Sequence, residues 1–245
     1  MDRLDELLAR NLGISKSAVA RLIDEERVAT LQGELVRSRR AEVPPPAVDG
    51  PGRAVVLVDG QPETLFETAL VALHKPAGVV TALRDGRHPT AFALLAEAPL
   101  ASLLRPVGRL DLDTTGLLLW TTEGALIQRL THPKRRVART YQAALTEPFR
   151  TMPAELTLED GHRPEVTELV EIAREDAHPA LLVPPETRTL ASITIVGGAY
   201  HEVRRNFAAL GSHVAGLCRV RFGTFDLPPD LPAGGWRSLP VPSPP

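Results

Sequence analysis

The residues best placed to do chemistry in this sequence lie at positions 107–124, which read VGRLDLDTTGLLLWTTEG. Asp111 and Asp113 precede a Thr-Thr-Gly turn signal, and the apolar run at 117–120 is typical of a buried strand. Catalytic side chains are often carried by loops that such a strand holds in place. The same letters are also good turn chemistry, because Asp and Thr side chains cap backbone amides and Gly accepts a positive φ. The segment by itself leaves a turn-only role and a catalytic role open.

Composition restricts the class of protein. The 245 residues suffice for one sizeable core and a small accessory domain, and 43% apolar with 24% charged residues is ordinary for a globular chain. No apolar run approaches the length of a membrane span, and the charged start MDRLDELLARN is unlike a signal peptide. The single cysteine, Cys218, excludes an internal disulfide framework, and its apolar neighbours predict a buried thiol. We therefore expect a cytoplasmic protein without membrane contacts.

The distribution of charge is more informative than its total. A formal net charge of −2 does not by itself indicate a nucleic-acid partner. However, basic residues cluster at 134–139, at 204–205 and at 219–221, whereas acidic residues concentrate at 24–26 and 155–160. A folded chain with this pattern could present one basic face and one acidic face.

The first sixty residues predict a small unit of two short helices and a few strands. Gly13 ends the first amphipathic helix, and Ser15 is a candidate N-cap for the second. The other features predicted here are a hairpin-like pattern over 28–36, a stiff proline-rich loop over 44–52, a strand over 54–58 and an interdomain linker over 61–68.

Residues 69–240 predict a larger second domain, followed by a disordered tail at 241–245. Strands and helices do not alternate as in a Rossmann fold, and no glycine-rich phosphate loop occurs. We therefore expect an α+β fold with a largely antiparallel mixed sheet flanked by helices. The predicted strands lie at 69–73, 117–120, 140–145, 166–172, 181–183 and 192–196, and the predicted helices at 90–96, 125–130 and 201–210.

Four segments, in this order, resemble the RsuA branch of the pseudouridine synthases: HKPAGVVT (74–81), VGRLDLDTTGLLLWTTEG (107–124), RLTHPKRRVARTY (129–141) and GGAYHEVRRNFAALGSHVAGLCRVRFG (197–223). The stretch at 3–36 is similar to the S4 RNA-binding domain, with a generic helical protein-interaction module as the alternative. The resemblance implies a pseudouridine synthase fold with an N-terminal S4-like module (1–60). It also implies an enzyme that flips a uridine out of ribosomal RNA and isomerises it.

The resemblance assigns a role to each motif residue. Asp111 is the catalytic carboxylate, which either attacks the ribose or acts as a base. Tyr141 lies beneath the flipped base, and Arg204 pairs with Asp111, which would lower the carboxylate's pKa. Arg109 projects to the same side as Asp111 in an extended segment and is expected to contact RNA. Further expected RNA contacts are Lys75 (alternatively a structural residue), Lys134, Arg135, Arg136, Arg139 and Arg205.

Without the motifs, more ordinary interpretations would be favoured for three of these residues. Tyr141 could be a core residue of a strand, and Arg204 and Arg205 could face solvent on a helix. Three positions also depart from common relatives: Glu202, Arg139 and Asn206 stand where Gln, Lys and Met are frequent. Glu202 adds a negative charge near Arg204, which would weaken RNA contact.

The resemblance also implies the substrate and the absence of a cofactor. Breaking the bond from N1 of uracil to the ribose and forming one from C5 involves no redox change, so we expect neither a cofactor nor a metal. The domain order favours 16S small-subunit rRNA as the target. The alternatives are a 23S rRNA enzyme of a sister branch and a non-catalytic S4-type RNA-binding or ribosome-assembly factor. We expect a monomer that acts on ribosomal RNA, either free or within an assembling particle.

Overall fold

The computed structural model describes residues 3–41 and 54–242. The α-helices of these ranges are α1 (Leu4–Leu12), α2 (Lys16–Asp24), α3 (Gly124–Thr131) and α4 (Glu202–Ala209). The strands of the same ranges are β1 (Val28–Thr30), β2 (Ala54–Val58), β3 (Gln61–Leu65), β4 (Leu70–Lys75), β5 (Arg105–Pro106), β6 (Thr114–Thr121), β7 (Arg139–Leu145), β8 (Val166–Glu171), β9 (Thr189–Ile195), β10 (Val214–Phe222), β11 (Phe225–Asp226) and β12 (Trp236–Leu239). None of these helices is long and apolar enough to cross a membrane.

The described N-terminal residues form the predicted helix pair and an antiparallel sheet in the order β1-β2-β3. Helix α1 ends where Gly13 adopts a left-handed φ of 64°. Ser15 caps α2, because its hydroxyl accepts a hydrogen bond of 3.1 Å from the N–H of Ala18. The helices and the sheet share one core, formed by Leu4, Leu7, Leu8, Val19, Ile23, Val28, Val36, Ala54, Val56 and Leu65.

The linker predicted over 61–68 begins later in the structure, because Gln61–Leu65 is strand β3 and pairs with β2. Asp59 and Gly60 have φ values of 52° and 75°, and two positive φ values in a row are the geometry of a tight hairpin turn. Pro62 is tolerated in β3 because this strand lies at the edge of the sheet. The Asn11 side chain then holds the chain at Phe66 through two hydrogen bonds of 2.8 and 2.9 Å to its backbone.

A nine-stranded sheet dominates the rest of the described chain, in the order β12-β4-β6-β10-β7-β9-β8, with β5 beside β6 and β11 beside β10. Strands β6 and β10 run parallel, and the other neighbouring pairs are antiparallel. The predicted α+β fold with a largely antiparallel mixed sheet is therefore confirmed. Registration across its centre places Gly116, Arg219 and Tyr141 in one row on β6, β10 and β7.

Both faces of the sheet are covered, and β6 shows this most clearly. Every residue of β6 is buried. Leu118 and Trp120 pack into one core, and Leu117 and Leu119 into the other. A strand buried on both faces is expected to be continuously apolar, which is the pattern at 117–120. The strand also takes in Thr114, Thr115 and Gly116, which the sequence pattern assigns to the turn before it.

Gly116 allows β6 and β10 to approach each other. Its φ is 104°, and a Cβ at this position would lie 2.4 Å from the carbonyl oxygen of Arg219 and 2.8 Å from the sulfur of Cys218. Only glycine fits such a backbone without displacing the parallel pair. Cys218 itself is fully buried, as predicted, and burial raises the pKa of its thiol to about 11.

Several local predictions differ from the structure. The helix predicted over 90–96 is reduced to a 3-10 turn at Ala93–Leu95, because so short a segment gains little from helical hydrogen bonds. Residues 181–183 form no strand, and the prolines that follow them cannot donate to a sheet. The proline-rich loop predicted over 44–52 and residues 243–245 of the predicted tail lie outside the described residues.

Candidate active site

A cavity of about 660 Å³ opens where helix α4, the loop before β6 and the segment after α3 meet. Its volume falls in the range of sites that hold a small ligand. The cavity brings together all three predicted catalytic residues, Asp111, Tyr141 and Arg204. Its wall also includes these arginines: Arg109, Arg136, Arg139 and Arg219. The site therefore combines a carboxylate, an aromatic ring and a cationic wall.

The loop that carries Asp111 is held at both sides of that residue. The N–H of Leu110 donates to the hydroxyl of Thr81 at 3.1 Å, and the same hydroxyl donates to the carbonyl of Leu110 at 2.9 Å. After the aspartate, the N–H of Thr114 donates to the Asp111 carbonyl at 3.2 Å, closing a turn directly into β6. Thr81 ends the HKPAGVVT segment, so this motif positions the loop that carries Asp111.

Lys75 lies beneath the same loop and is fully buried. Its ammonium group donates to the carbonyl oxygens of Pro76 at 3.0 Å, Leu112 at 3.3 Å and Thr114 at 2.8 Å. Desolvation lowers the pKa of Lys75 to about 8, although the aspartates of the loop partly oppose this shift. A buried ammonium group cannot reach an RNA phosphate, so the predicted phosphate contact is wrong. The three hydrogen bonds of its ammonium group fit the structural alternative.

The two aspartates of the loop have different cationic neighbours. Oδ1 of Asp111 lies 3.6 Å from Nε2 of His201, whereas Oδ2 of Asp113 lies 2.8 Å from Nη2 of Arg204. The prediction that Arg204 pairs with Asp111 is therefore wrong in this structure. Arg204 also donates from Nη1 to the carbonyl of Val214 at 3.1 Å, which fixes its guanidinium group on the Asp113 side. Asp113 is thus ion-paired, where the sequence predicts a turn-capping role.

Tyr141 belongs to the core and to the cavity at once. It is 8% exposed, packs in the hydrophobic cluster under α4, and forms part of the cavity wall. Its register partner on the neighbouring strand is Arg219. The core interpretation and the cavity interpretation of this tyrosine are therefore compatible.

Two arginines of the cavity wall, Arg139 and Arg219, lie on the ring of Phe222. The guanidinium carbons of Arg139 and Arg219 lie 4.6 and 5.0 Å from the ring centroid. Arg139 also donates to the carbonyl of Gly197, and burial together with the charge of Arg219 lowers its pKa. Arg219 is 1% exposed and donates from Nε to the carbonyl of Leu117 at 2.8 Å, but its Nη2 has no hydrogen-bond partner in the described structure.

The remaining predicted RNA contacts divide into two groups. Arg109 and Arg136 are exposed and line the cavity, although Arg136 also forms an ion pair with Glu165. Lys134 and Arg135 are exposed on the 3-10 turn after α3.

Arg205 and Glu202 on α4 both have partners within the protein. Arg205 forms an ion pair with Asp160 and is not among the described residues that line the cavity. Glu202 is 3% exposed and accepts hydrogen bonds from the N–H of Ala199 at 2.8 Å and from His162 at 3.2 Å. Its carboxylate therefore holds the loop just before α4 and has both of these partners within the protein.

The cavity wall also includes Tyr200, His201 and Arg219, which the sequence analysis did not assign to the site. Tyr200 and His201 lie inside the 197–223 motif, but nothing in their spacing shows which side chain reaches Asp111. Arg219 is one of two charged residues in the strand pattern LCRVRF, and Arg221 is the other. A charge inside a buried strand is rarely retained without a partner or a role, but the sequence does not show that Arg219 is the buried one of the two. No group of three or more His, Cys, Asp or Glu side chains in ranges 3–41 and 54–242 is placed to hold a metal ion.

The mixed sheet and its cavity define an α+β enzyme that places a carboxylate opposite a cationic wall, an arrangement suited to an anionic substrate. A family model described as RNA pseudouridylate synthase matches residues 69–209. The chain is 35% identical over 240 residues to ribosomal small subunit pseudouridine synthase A of Yersinia pestis, covering 97% of this chain and 94% of that protein. It is 35% identical over 239 residues to the protein of that name from Escherichia coli (strain K12), covering 97% and 96%.

A solved structure described as a crystal structure of pseudouridylate synthase agrees with these similarities. It covers 98% of this chain and 96% of its own, with a TM-score of 0.58 and 29% identity. The chain therefore belongs to the RNA pseudouridylate synthase family. It is an isomerase that converts uridine in RNA into pseudouridine.

Proposed function

We propose that this enzyme isomerises one uridine of 16S small-subunit ribosomal RNA. The observation that carries the proposal is the similarity over 97% of the chain to relatives named for the small ribosomal subunit. The similarity includes the N-terminal helices and sheet as well as the catalytic domain, so it extends over the parts that would select the RNA.

Asp111 is the residue that we assign to the chemistry. The bond from uracil N1 to ribose C1′ breaks, the base turns, and C5 bonds to C1′; the proton on C5 is lost and N1 gains one, so no oxidant or reductant is required. Asp111 either attacks C1′ or acts as a base, and both routes begin with its carboxylate beside the ribose. In support, Asp111 lines the cavity and keeps 38% of its side chain exposed.

The cavity would receive the uridine after it leaves the RNA stack. Extruding a base costs a few kcal/mol, and an aromatic face that stacks on the base can offset part of that cost. Tyr141 supplies a ring in the cavity wall. Arg219, whose Nη2 donor is unpartnered in the described structure, is the residue that we assign to the oxygen atoms of the bound nucleotide.

Binding of the RNA backbone is assigned to the rim of the cavity and to the N-terminal module. Arg109, Lys134, Arg135 and Arg136 are exposed on or beside the rim and would contact phosphates, which adds affinity without sequence selectivity. We infer an S4-like docking role for the N-terminal module from its helix pair and small sheet.

The acidic stretch at the end of α2 does not oppose this docking role. Each of its acids has an arginine partner within 3.5 Å, and the pairs are Asp24 with Arg39, Glu25 with Arg27, and Glu26 with Arg37. We further infer a cytoplasmic monomer that acts on ribosomal RNA, either free or in an assembling particle.

Mapping of pseudouridine on ribosomal RNA tests the proposed target. Purified enzyme is incubated with separate transcripts of the small- and large-subunit RNAs, and Asp111→Asn serves as the matched inactive variant. We expect one modified uridine, in the small-subunit transcript and with the wild type only. Modification of the large-subunit transcript instead would refute the target. An absence of modification in both transcripts and in assembling particles would favour a non-catalytic RNA-binding role.

A further inference from the structure

Tyr200 is the most exposed large apolar side chain of the described residues, at 77%. Its ring stacks on the imidazole of His201, with centroids 3.9 Å apart and planes inclined by 16°. One face of the tyrosine is therefore supported by a second ring, while most of its surface meets solvent. A supported and exposed aromatic face is the feature that single-stranded nucleic-acid sites use to stack a base.

The backbone fixes this pair in place at the start of α4. His201 has φ 49° and ψ 32°, a left-handed conformation that residues other than glycine rarely adopt. Such conformations cluster where a site needs a particular geometry. Here it brings Nε2 of His201 to 3.6 Å from the Asp111 carboxylate. The two rings thus extend from the catalytic carboxylate out to solvent.

The cavity is large enough for the flipped uridine, and the neighbouring nucleotides remain joined to the rest of the RNA. Its volume of about 660 Å³ lies within the range of small-ligand sites. The RNA chain must then pass over the rim on both sides of that uridine. Tyr200 and His201 line the cavity, as do Arg109 and Arg136, which carry positive charge at its mouth.

We propose that the ring of Tyr200, supported by His201, is a stacking site for the unpaired base next to the flipped uridine. The inference rests on the proposed function, because it requires a uridine in the cavity. Stacking on an aromatic ring tolerates any base, so this site detects an unpaired neighbour rather than its identity. The enzyme would therefore favour a uridine whose neighbour can leave its own stack.

The test uses a nine-nucleotide RNA with one uridine among cytidines and 2-aminopurine directly beside the uridine, placed on the 3′ side in one probe and on the 5′ side in another. Stacking of 2-aminopurine on an aromatic ring quenches its fluorescence. We expect quenching by the wild type with one of these probes and by Tyr200→Phe with the same probe. Tyr200→Ala should lose the quenching and bind roughly 5- to 150-fold more weakly. Leu182→Ala, which removes an exposed apolar side chain outside the cavity, is the control and should bind like the wild type.

A second probe that lacks the base beside the uridine separates stacking from an indirect effect. Wild type and Tyr200→Ala should bind this abasic probe equally. A persistent difference would show that Tyr200 acts by holding His201, and it would overturn the proposal, as would equal quenching by Tyr200→Ala. Fluorescence quenching and binding can be measured without turnover. Their outcome can therefore be distinguished from that of the rRNA mapping, which tests the proposed function.

Discussion

Replacing Lys75 by methionine removes the buried ammonium group that donates to the carbonyl oxygens of the Asp111 loop, and the effect on stability has a defined dependence on pH. The pKa of Lys75 is about 8 in the folded protein, against an ordinary value of 10.5. Between these values the unfolded chain binds a proton that the folded protein lacks, so the free energy of unfolding rises with pH. At about 1.4 kcal/mol per pH unit, the rise amounts to about 3 kcal/mol in the wild type and is absent in Lys75→Met.

A second buried group, Cys218, changes the free energy of unfolding with pH in the opposite direction. Its contribution must be removed by comparing two proteins that both contain it. Burial raises the pKa of Cys218 to about 11 from 9.0, so the folded protein keeps a proton that the unfolded chain loses between these values. The free energy of unfolding therefore falls with pH from Cys218 over that interval. Wild type and Lys75→Met share this contribution, and the difference between them isolates Lys75.

The assay is urea unfolding of both proteins between pH 7.5 and 10.5, with Lys16→Met as the matched control. Lys16 is exposed and pairs with Glu6 at the surface, so its removal should leave the pH dependence of the wild type unchanged. We expect the unfolding free energy of the wild type, relative to Lys75→Met, to rise by about 3 kcal/mol across this range. A constant difference would refute the conclusion that Lys75 is desolvated in the folded protein.

Two further predictions concern packing near the site. Gly116→Ala should destabilise the protein by about 2–5 kcal/mol in urea unfolding, because it combines left-handed strain with a clash against Arg219. Gly86→Ala, whose added Cβ meets nothing within 4 Å, is the control, and an equal loss in both variants would contradict this reasoning. Asn206→Leu should stabilise the protein by about 1–3 kcal/mol, since both polar atoms of this buried amide lack partners in the described structure. A lower melting temperature for this variant would show that the amide is bonded.

The core of the central strand could be predicted from the sequence because a short apolar run between turn residues, such as 117–120, is typical of a strand that is buried on both faces. Every residue of β6 is buried, as this pattern predicts. Strand β3 was missed because QPETL is polar and contains a proline, which looks like a loop. Its pairing depends on an edge position that only the folded sheet defines.

The partners within the site could not be derived from spacing. Asp111 and Asp113 are two residues apart on one loop, and the path of that loop decides which of them meets Arg204. Lys75 presents a similar problem, since its sequence context does not distinguish a solvated lysine from a desolvated one. The carbonyl oxygens that surround Lys75 come from residues 76, 112 and 114, so its role emerges only when the loop and β4 are brought together.

The central claim is that the Asp111 carboxylate, and not the neighbouring Asp113, performs the isomerisation. Formation of the bond from C5 to C1′ releases the hydrogen on C5, so tritium release from RNA labelled at C5 of uridine measures the reaction directly. We expect Asp111→Asn to lower the rate by at least about 100-fold. Asp113→Asn, which alters the same loop and breaks the 2.8 Å pair with Arg204, should retain most of the rate. Loss of tritium release in Asp113→Asn, with release retained in Asp111→Asn, would contradict the account.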